Sequence, residues 1–107
     1  MKTKCYNSGP ISTLPYEVAI SNFHIADYVI RQHVGLTPIN PMRKWALPRN
    51  WPWALHMLKD LLLMMTCRSI YFQAGWSSSR GARIEHRVAE WLRMERYYEE
   101  VVLCVED

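Results

Sequence analysis

A glutamate, an aspartate and a tyrosine stand at three places in the 107-residue sequence where they could act together on one bond. Glu85 lies early in a predicted helix, Asp60 lies among apolar neighbours on another helix, and Tyr6 ends a short predicted strand. A helix dipole favours an ionised carboxylate in the first turns, so Glu85 could serve as a nucleophile. The set suits cleavage of a glycosidic bond, in which the glutamate attacks or stabilises the anomeric carbon. The aspartate would act as acid or base near the leaving base, and the tyrosine would orient the glutamate.

Each of these three residues also has a purely structural interpretation. Glu85 could be an exposed helix residue paired with an arginine, and Asp60 could face water. Tyr6 could simply belong to the core. The types and spacing of the residues therefore define a candidate constellation and leave both interpretations open.

A loop of small polar residues directly precedes the helix of Glu85. The first backbone N–H groups of a helix have no internal partner, so this junction favours an anion or a polar ligand. The residues where such a ligand would lie are Ser77, Ser78, Ser79 and Gly81.

Strand and helix patterns alternate along the chain. Strands are predicted at 3–7, at 36–39, at 69–73 and in a last β-rich run at 98–105. Helices are predicted at 15–35, at 53–67 and after the serine loop. This alternation is typical of a single α/β domain, here residues 1–107, with a parallel sheet of about four strands. Ligands of such sheets bind beyond the carboxyl ends of the strands, and Pro38 favours an edge position for the second strand.

Apolar residues mark one face of each predicted helix. The first helix carries Tyr16, Ala19, Phe23, Ala26 and Ile30, and Gly35 is its natural end. The buried side of the second helix is expected to consist of Leu55, Leu58, Leu62 and Met65. The third helix repeats Ile84, Val88, Trp91 and Leu92.

The segment 40–53 has prolines, tryptophans and cations in too high a density for regular structure. We predict that it is a mobile flap. Its aromatic rings could stack on a base and its cations could reach a phosphate, or the rings could cover an edge of the core. The residues of interest are Arg43, Trp45 and Trp51.

Composition narrows the possible partners. Half of the residues are hydrophobic and 21% are charged, which is typical of a folded globular domain. The formal charge of +3 is too small to indicate nucleic acid as the partner, and the cations suit a small phosphorylated ligand equally well. The longest apolar run, 61–65, is far too short to span a membrane, and no exported leader is apparent.

Cysteine and histidine spacing indicates neither a metal nor a cofactor. Cys5, Cys67 and Cys104 form no C-x-x-C pair, so neither a disulfide framework nor a zinc site is predicted. The four histidines lack metal-ligand spacing. A reducing cytoplasm is the location that this cysteine usage favours.

Four motifs in register resemble the DUF4406 family, whose small and often phage-borne members look like the nucleoside 2-deoxyribosyltransferase superfamily. They are Tyr6-Asn-Ser-Gly-Pro-Ile-Ser12, Pro38-Ile-Asn-Pro41, Leu58-Lys-Asp-Leu61 and Gly75-Trp-Ser-Ser-Ser-Arg-Gly-Ala-Arg-Ile-Glu85. The last block is the specific one. The resemblance runs from about Lys2 to Leu92. It departs at Gln73-Ala74, where relatives often have Leu-Pro, and at Arg68, where they usually have aspartate.

This resemblance implies a flavodoxin-like three-layer fold, usually a homodimer, that acts on the N-glycosidic bond of a 2-deoxyribonucleoside or its 5′-monophosphate. Glu85 matches the superfamily nucleophile, Asp60 its helical catalytic aspartate and Tyr6 its first-strand tyrosine. Ser79 matches the position where nucleotide hydrolases of the superfamily hold phosphate. The remaining residues expected around sugar or phosphate are Ser8, Gly9, Pro10, Ser12, Gly75, Ser77, Arg80, Gly81 and Arg83.

Three functions stay open at this point. The chain could be an N-glycosidase or deoxyribosyltransferase that uses Glu85, a binding module that sequesters a nucleotide or nucleotide-derived signal, or a protein-interaction protein whose contact surface is the tryptophan-rich flap. Retention of both Asp60 and Glu85 favours the enzyme, because two carboxylates beside an anionic ligand would weaken pure binding.

Overall fold

Four short segments form the strands of one parallel sheet in the computed structural model, which describes residues 4–11 and 13–104. The strands are β1 (Lys4–Ser8), β2 (Thr37–Ile39), β3 (Ser69–Phe72) and β4 (Glu95–Tyr98), in the spatial order β2-β1-β3-β4. Tyr6 lies opposite both Ile39 and Ile70, which fixes the register at the centre. β2 lies at the edge, as Pro38 predicted.

Four helices cover the two faces of the sheet. They are α1 (Tyr16–Val29, continued by a π turn at Ile30–Val34), α2 (Trp53–Met64), α3 (Arg80–Trp91) and α4 (Glu99–Cys104). One core cluster joins α2 and α3 to Tyr6, Ile70 and Phe72, while the other joins α1 and α4 to Cys5 and Tyr71. Because successive strand residues point to opposite faces, neighbours such as Cys5 and Tyr6 serve different layers. The predicted flavodoxin-like three-layer α/β sandwich is confirmed.

Helix α1 follows its sequence pattern closely. Ala19, Phe23, Ala26 and Ile30 are all buried. The helical segment ends where predicted, at Gly35, whose φ of 81° is a left-handed conformation that glycine adopts without a steric penalty.

The predicted face of α2 is wrong. Leu55, Leu58, Leu62 and Met65 are exposed, with Leu58 at 54%, and we call them the leucine stripe. The helix instead buries Met57, Leu63 and Met64. The inward face of α2 also carries charged groups. A prediction of the buried face from hydrophobicity alone therefore chose the opposite face.

Helix α3 and the C-terminal run also differ from expectation. The buried residues of α3 are Ala82, Glu85 and Ala89, whereas Trp91 is 82% exposed. The run predicted as β-rich at 98–105 contributes only Tyr98 to β4 and then forms α4, with Glu99 and Glu100 in its first turn. Acidic side chains there suit the helix dipole, while valines had favoured a strand. Thr3 and Val105, at the ends of predicted strands, lie outside the described residues.

Candidate functional site

Glu85 lies on the inward face of α3, 5% exposed, with both carboxylate oxygens held by β1. The Tyr6 hydroxyl donates to Oε2 at 2.8 Å, and the Ser8 hydroxyl donates to Oε1 at 2.6 Å. Residues 6 and 8 reach the same carboxylate because alternate residues of a strand share a face. These two hydrogen bonds fix the orientation of the glutamate, and the tyrosine takes the orienting position that the sequence suggested.

Burial raises the pKa of Glu85 to about 8. The hydrogen bond from Ser8 opposes this rise, the negative charge of Asp60 adds to it, and Tyr6 and Lys59 oppose it further. The expected ionised glutamate is therefore mostly protonated at neutral pH. Desolvation outweighs the helix dipole because the carboxyl lies inside the protein rather than at an exposed helix end.

Asp60 is the second carboxylate of the site. It is mostly buried on α2, and Lys59 Nζ lies 2.8 Å from its Oδ1. Burial raises the pKa of Asp60, although Lys59 and the nearby His56 lower it. Lys59 also donates to the carbonyl oxygen of Pro41 at 2.7 Å, so the same side chain ties α2 to the start of the flap.

A cavity of about 420 Å³ opens beside these groups. It lies at the carboxyl ends of β1 and β3. The chain leaves β1 for β2 on one side of the sheet and later returns to add β3 and β4 on the other side. Ligands of doubly wound folds usually bind at this switch point. Tyr6, Asp60 and Glu85 all line it. A cavity of this size accommodates a small organic ligand.

The predicted binding residues divide into two groups. Ser8, Gly9, Ser79 and Gly81 line the cavity, and the Ser79 hydroxyl caps α3 by accepting from the backbone N–H of Ala82 at 3.4 Å. Pro10, Gly75, Ser77, Arg80 and Arg83 are not among the lining residues. Ser12 lies outside the part of the chain that the structure describes.

The two arginines of the second group have other partners. The guanidinium of Arg80 stacks over the ring of Trp53, 4.3 Å from its centroid. Arg83 donates to the carbonyl oxygen of Ser77 at 3.0 Å. Neither guanidinium lines the cavity.

The flap, residues 40–53, covers one side of the cavity. Trp51 lines it, whereas Arg43 and Trp45 are exposed and are not lining residues. Arg49, which also lines the cavity, stacks on the ring of Tyr16 at 3.6 Å. Cation–π contacts thus hold the flap to α1, and the Arg80–Trp53 pair holds α2 to α3 beside it.

A buried amide network supports the base of the cavity. Asn7 donates to Asp27 Oδ1 at 2.8 Å and accepts from Gln73 at 2.8 Å. Asn40, at the start of the flap, donates to Asp27 Oδ2 at 3.1 Å. Gly9 is packed against Gln73 so closely that an added Cβ would lie 2.6 Å from its Oε1. The network joins β1, α1, the flap and the end of β3.

A family model described as "Domain of unknown function (DUF4406)" matches residues 3–98. The chain belongs to this family. No curated protein and no solved structure matches the chain.

The DUF4406 match covers every residue of the cavity described above. Several of these residues were missed by sequence reasoning, notably Asn7, Tyr16, Arg49, His56 and Lys59. His56 could have been found from its position four residues before Asp60, since residues three or four apart share a helix face, whereas Lys59 is adjacent to Asp60 and no helical spacing selects it. Asn7 and Tyr16 carry no comparable signal.

Two absences complete the description of this DUF4406 protein. Within residues 4–11 and 13–104, no group of three or more histidine, cysteine, aspartate or glutamate side chains is arranged to hold a metal ion. Among the helices of the described residues, none is long and apolar enough to cross a membrane.

Proposed function

We propose that this protein cleaves or transfers the N-glycosidic bond of a 2-deoxyribonucleoside or its 5′-monophosphate, as a member of the nucleoside 2-deoxyribosyltransferase-like superfamily. The observation that carries the proposal is Glu85, whose two oxygens are held by Tyr6 and Ser8 beside a cavity that Asp60 also lines. A buried, oriented carboxylate opposite a second carboxylate suits a retaining glycosyl transfer.

In the proposed reaction, an oxygen of ionised Glu85 bonds to the anomeric carbon as the bond from that carbon to the base nitrogen breaks. The electron pair leaves with the base, which takes a proton from Asp60. Water or a second base then attacks the anomeric carbon, releases Glu85 as a carboxylate, and returns a proton to Asp60. Burial raises the pKa of Asp60, which favours the protonated form that the first step needs.

The N-terminus of α3 supports binding of a sugar or a 5′-phosphate. Ser79 and Gly81 line the cavity at the point where unpaired backbone N–H groups attract an anion. Arg49 and Lys59 supply positive charge to the same cavity. A phosphorylated substrate is therefore favoured over a free nucleoside, although Arg80 and Arg83 take no part.

One observation favours a second function, a nucleotide-binding module without turnover. With a pKa near 8, Glu85 is mostly neutral at pH 7 and repels an anionic ligand little. The two carboxyls beside the ligand therefore weaken the binding of an anionic ligand less than their formal charges suggest.

The deciding experiment incubates the protein with deoxynucleosides and deoxynucleoside 5′-monophosphates, with and without a free acceptor base, and follows released base by chromatography. Base release that disappears in Glu85→Gln supports the enzyme, and dependence on the acceptor separates transfer from hydrolysis. Base release by Glu85→Gln at the wild-type rate would refute the nucleophile. Tight nucleotide binding without release would favour the binding module.

Assembly and location form part of the same proposal. The leucine stripe repeats apolar residues at positions 55, 58, 62 and 65, the heptad spacing by which like helices pair. We expect a homodimer that buries this stripe, since a contiguous exposed apolar face is typical of an interface. The burial of Cys5 and Cys67 as cysteines suits a reducing cytoplasm.

A further inference from the structure

His56 is a cavity-lining side chain whose chemistry the proposed reaction leaves unused. Its Nε2 atom is buried and has no hydrogen-bond partner among the described residues. Buried polar atoms are nearly always paired in folded proteins, so an unpaired one on a cavity-lining side chain requires an explanation.

Several other polar groups of the cavity already have partners. Within the described part of the chain, Asp60 Oδ1 accepts no hydrogen bond but is ion-paired with Lys59. The hydroxyls of Tyr6 and Ser8 donate to Glu85. Lys59 is held by Asp60 and by the carbonyl oxygen of Pro41. The imidazole of His56 is therefore available to a ligand without the loss of an existing hydrogen bond.

The position of His56 on α2 decides which part of a ligand it can reach. It precedes Asp60 by four residues, so the two side chains lie one helical turn apart, about 5–6 Å between Cβ atoms. If Asp60 protonates the leaving base, the base must lie against α2, and a ring system of that width extends to His56.

We propose that His56 Nε2 forms a hydrogen bond with the nucleobase of the bound 2-deoxyribonucleotide. This inference rests on the proposed function and names the residue that recognises the leaving group. An imidazole can donate or accept, and the edges of nucleobases present both acceptor nitrogens or oxygens and donor amino groups. The phosphate has the cation Arg49 and the α3 N-terminus as better partners.

The test uses binding affinities to distinguish a contact of His56 with the base from a contact with the sugar phosphate. In a Glu85→Gln background, which prevents turnover, calorimetry measures the affinities of a deoxynucleoside 5′-monophosphate panel and of 2-deoxyribose 5-phosphate. His56→Phe, which keeps a ring and removes both nitrogens, should weaken binding of the preferred nucleotide by about tenfold. Binding of 2-deoxyribose 5-phosphate should stay within about twofold, because a contact to the base does not affect it.

Two control variants complete the test. His24→Phe, at an exposed position of α1, should change neither affinity. His56→Gln, which keeps a donor and an acceptor, should recover part of the lost affinity. The melting temperature of His56→Phe should not fall below that of His24→Phe, because the variant removes a buried unpaired polar atom.

Equal weakening of nucleotide and sugar phosphate would overturn the inference and assign His56 to the phosphate or sugar. Unchanged affinity for both would overturn it as well, and so would a parent protein that binds neither. Selective weakening of the nucleotide in a protein that releases no base would support His56 as the base contact while refuting the enzymatic function.

Discussion

The buried carboxyl of Glu85 should reduce stability as pH rises, and Glu85→Gln should remove that effect. Folding moves the pKa of this carboxyl from 4.5 to about 8. Below pH 4.5 the folded and unfolded chains both hold the proton, so stability is unaffected. Between these values the unfolded chain releases a proton that the folded chain keeps, so stability falls as pH rises. Above pH 8 both states are ionised and the cost is complete.

The pKa change sets the size of this effect. The free energy of unfolding of the wild-type protein should be lower than that of Glu85→Gln by about 1 kcal/mol at pH 5, about 3 kcal/mol at pH 7 and roughly 5 kcal/mol at pH 9. These are upper figures, because Asp60 titrates in the same cavity and the protein relaxes around a new charge.

Urea unfolding of both proteins at the three pH values measures this difference directly, and an unchanged m-value shows that only stability has changed. Glu90→Gln is the matched control, because Glu90 lies exposed on the same helix. A difference between wild type and Glu85→Gln that is constant from pH 5 to 9 would refute the assignment of a raised pKa. The test needs no substrate and is independent of the proposed reaction.

Three further predictions concern activity and assembly. Asp60→Asn should slow base release by ~100-fold or more if Asp60 transfers the proton, and a wild-type rate would exclude that role. The rate of base release should depend on pH through both the ionisation of Glu85 and the protonation of Asp60, and Ser8→Ala should move the limb that Glu85 controls to higher pH because it removes a hydrogen bond that lowers the pKa of Glu85. A pH–rate profile that Ser8→Ala leaves unchanged would argue against control of the rate by the ionisation of Glu85. Leu58→Lys should convert the proposed homodimer to a monomer in light scattering, and a dimer that persists would exclude the leucine stripe as the contact.

The alternation of strands and helices along the chain could be predicted from the sequence because local patterns determine it. The Gly35 helix end and the proline of β2 act through backbone conformation alone, and both are in place. The C-terminal run was misread because β-branched valines favour a strand, whereas Val102 packs against the α1 side of the sheet from a helix.

The predictions of the buried faces of α2 and α3 were wrong for a reason connected with the cavity. On α2 the inward face must present Asp60 and its polar neighbours to a ligand, so the leucines lie outside. On α3 the inward face carries Glu85 rather than the larger apolar residues. Amphipathic patterns assume that apolar residues point inward, and this assumption is weakest where a site is built between helices.

The hydrogen bonds of the site lay beyond sequence reasoning. Ser8 and Glu85 are 77 positions apart, and their contact depends on the distance between β1 and α3. The DUF4406 resemblance indicated the residues but not the pKa of Glu85, which depends on how completely the carboxyl is buried.

The amide network has a consequence for how this sequence can evolve. Asn7 accepts a hydrogen bond from Gln73, the residue that follows β3. A change to leucine alone would leave the buried oxygen of Asn7 without this donor, which is unfavourable. We therefore expect positions 7 and 73 to be exchanged as a pair between relatives. A graft of one cavity edge into another DUF4406 background should carry both residues, together with Gly9, whose missing side chain makes room for the longer amide.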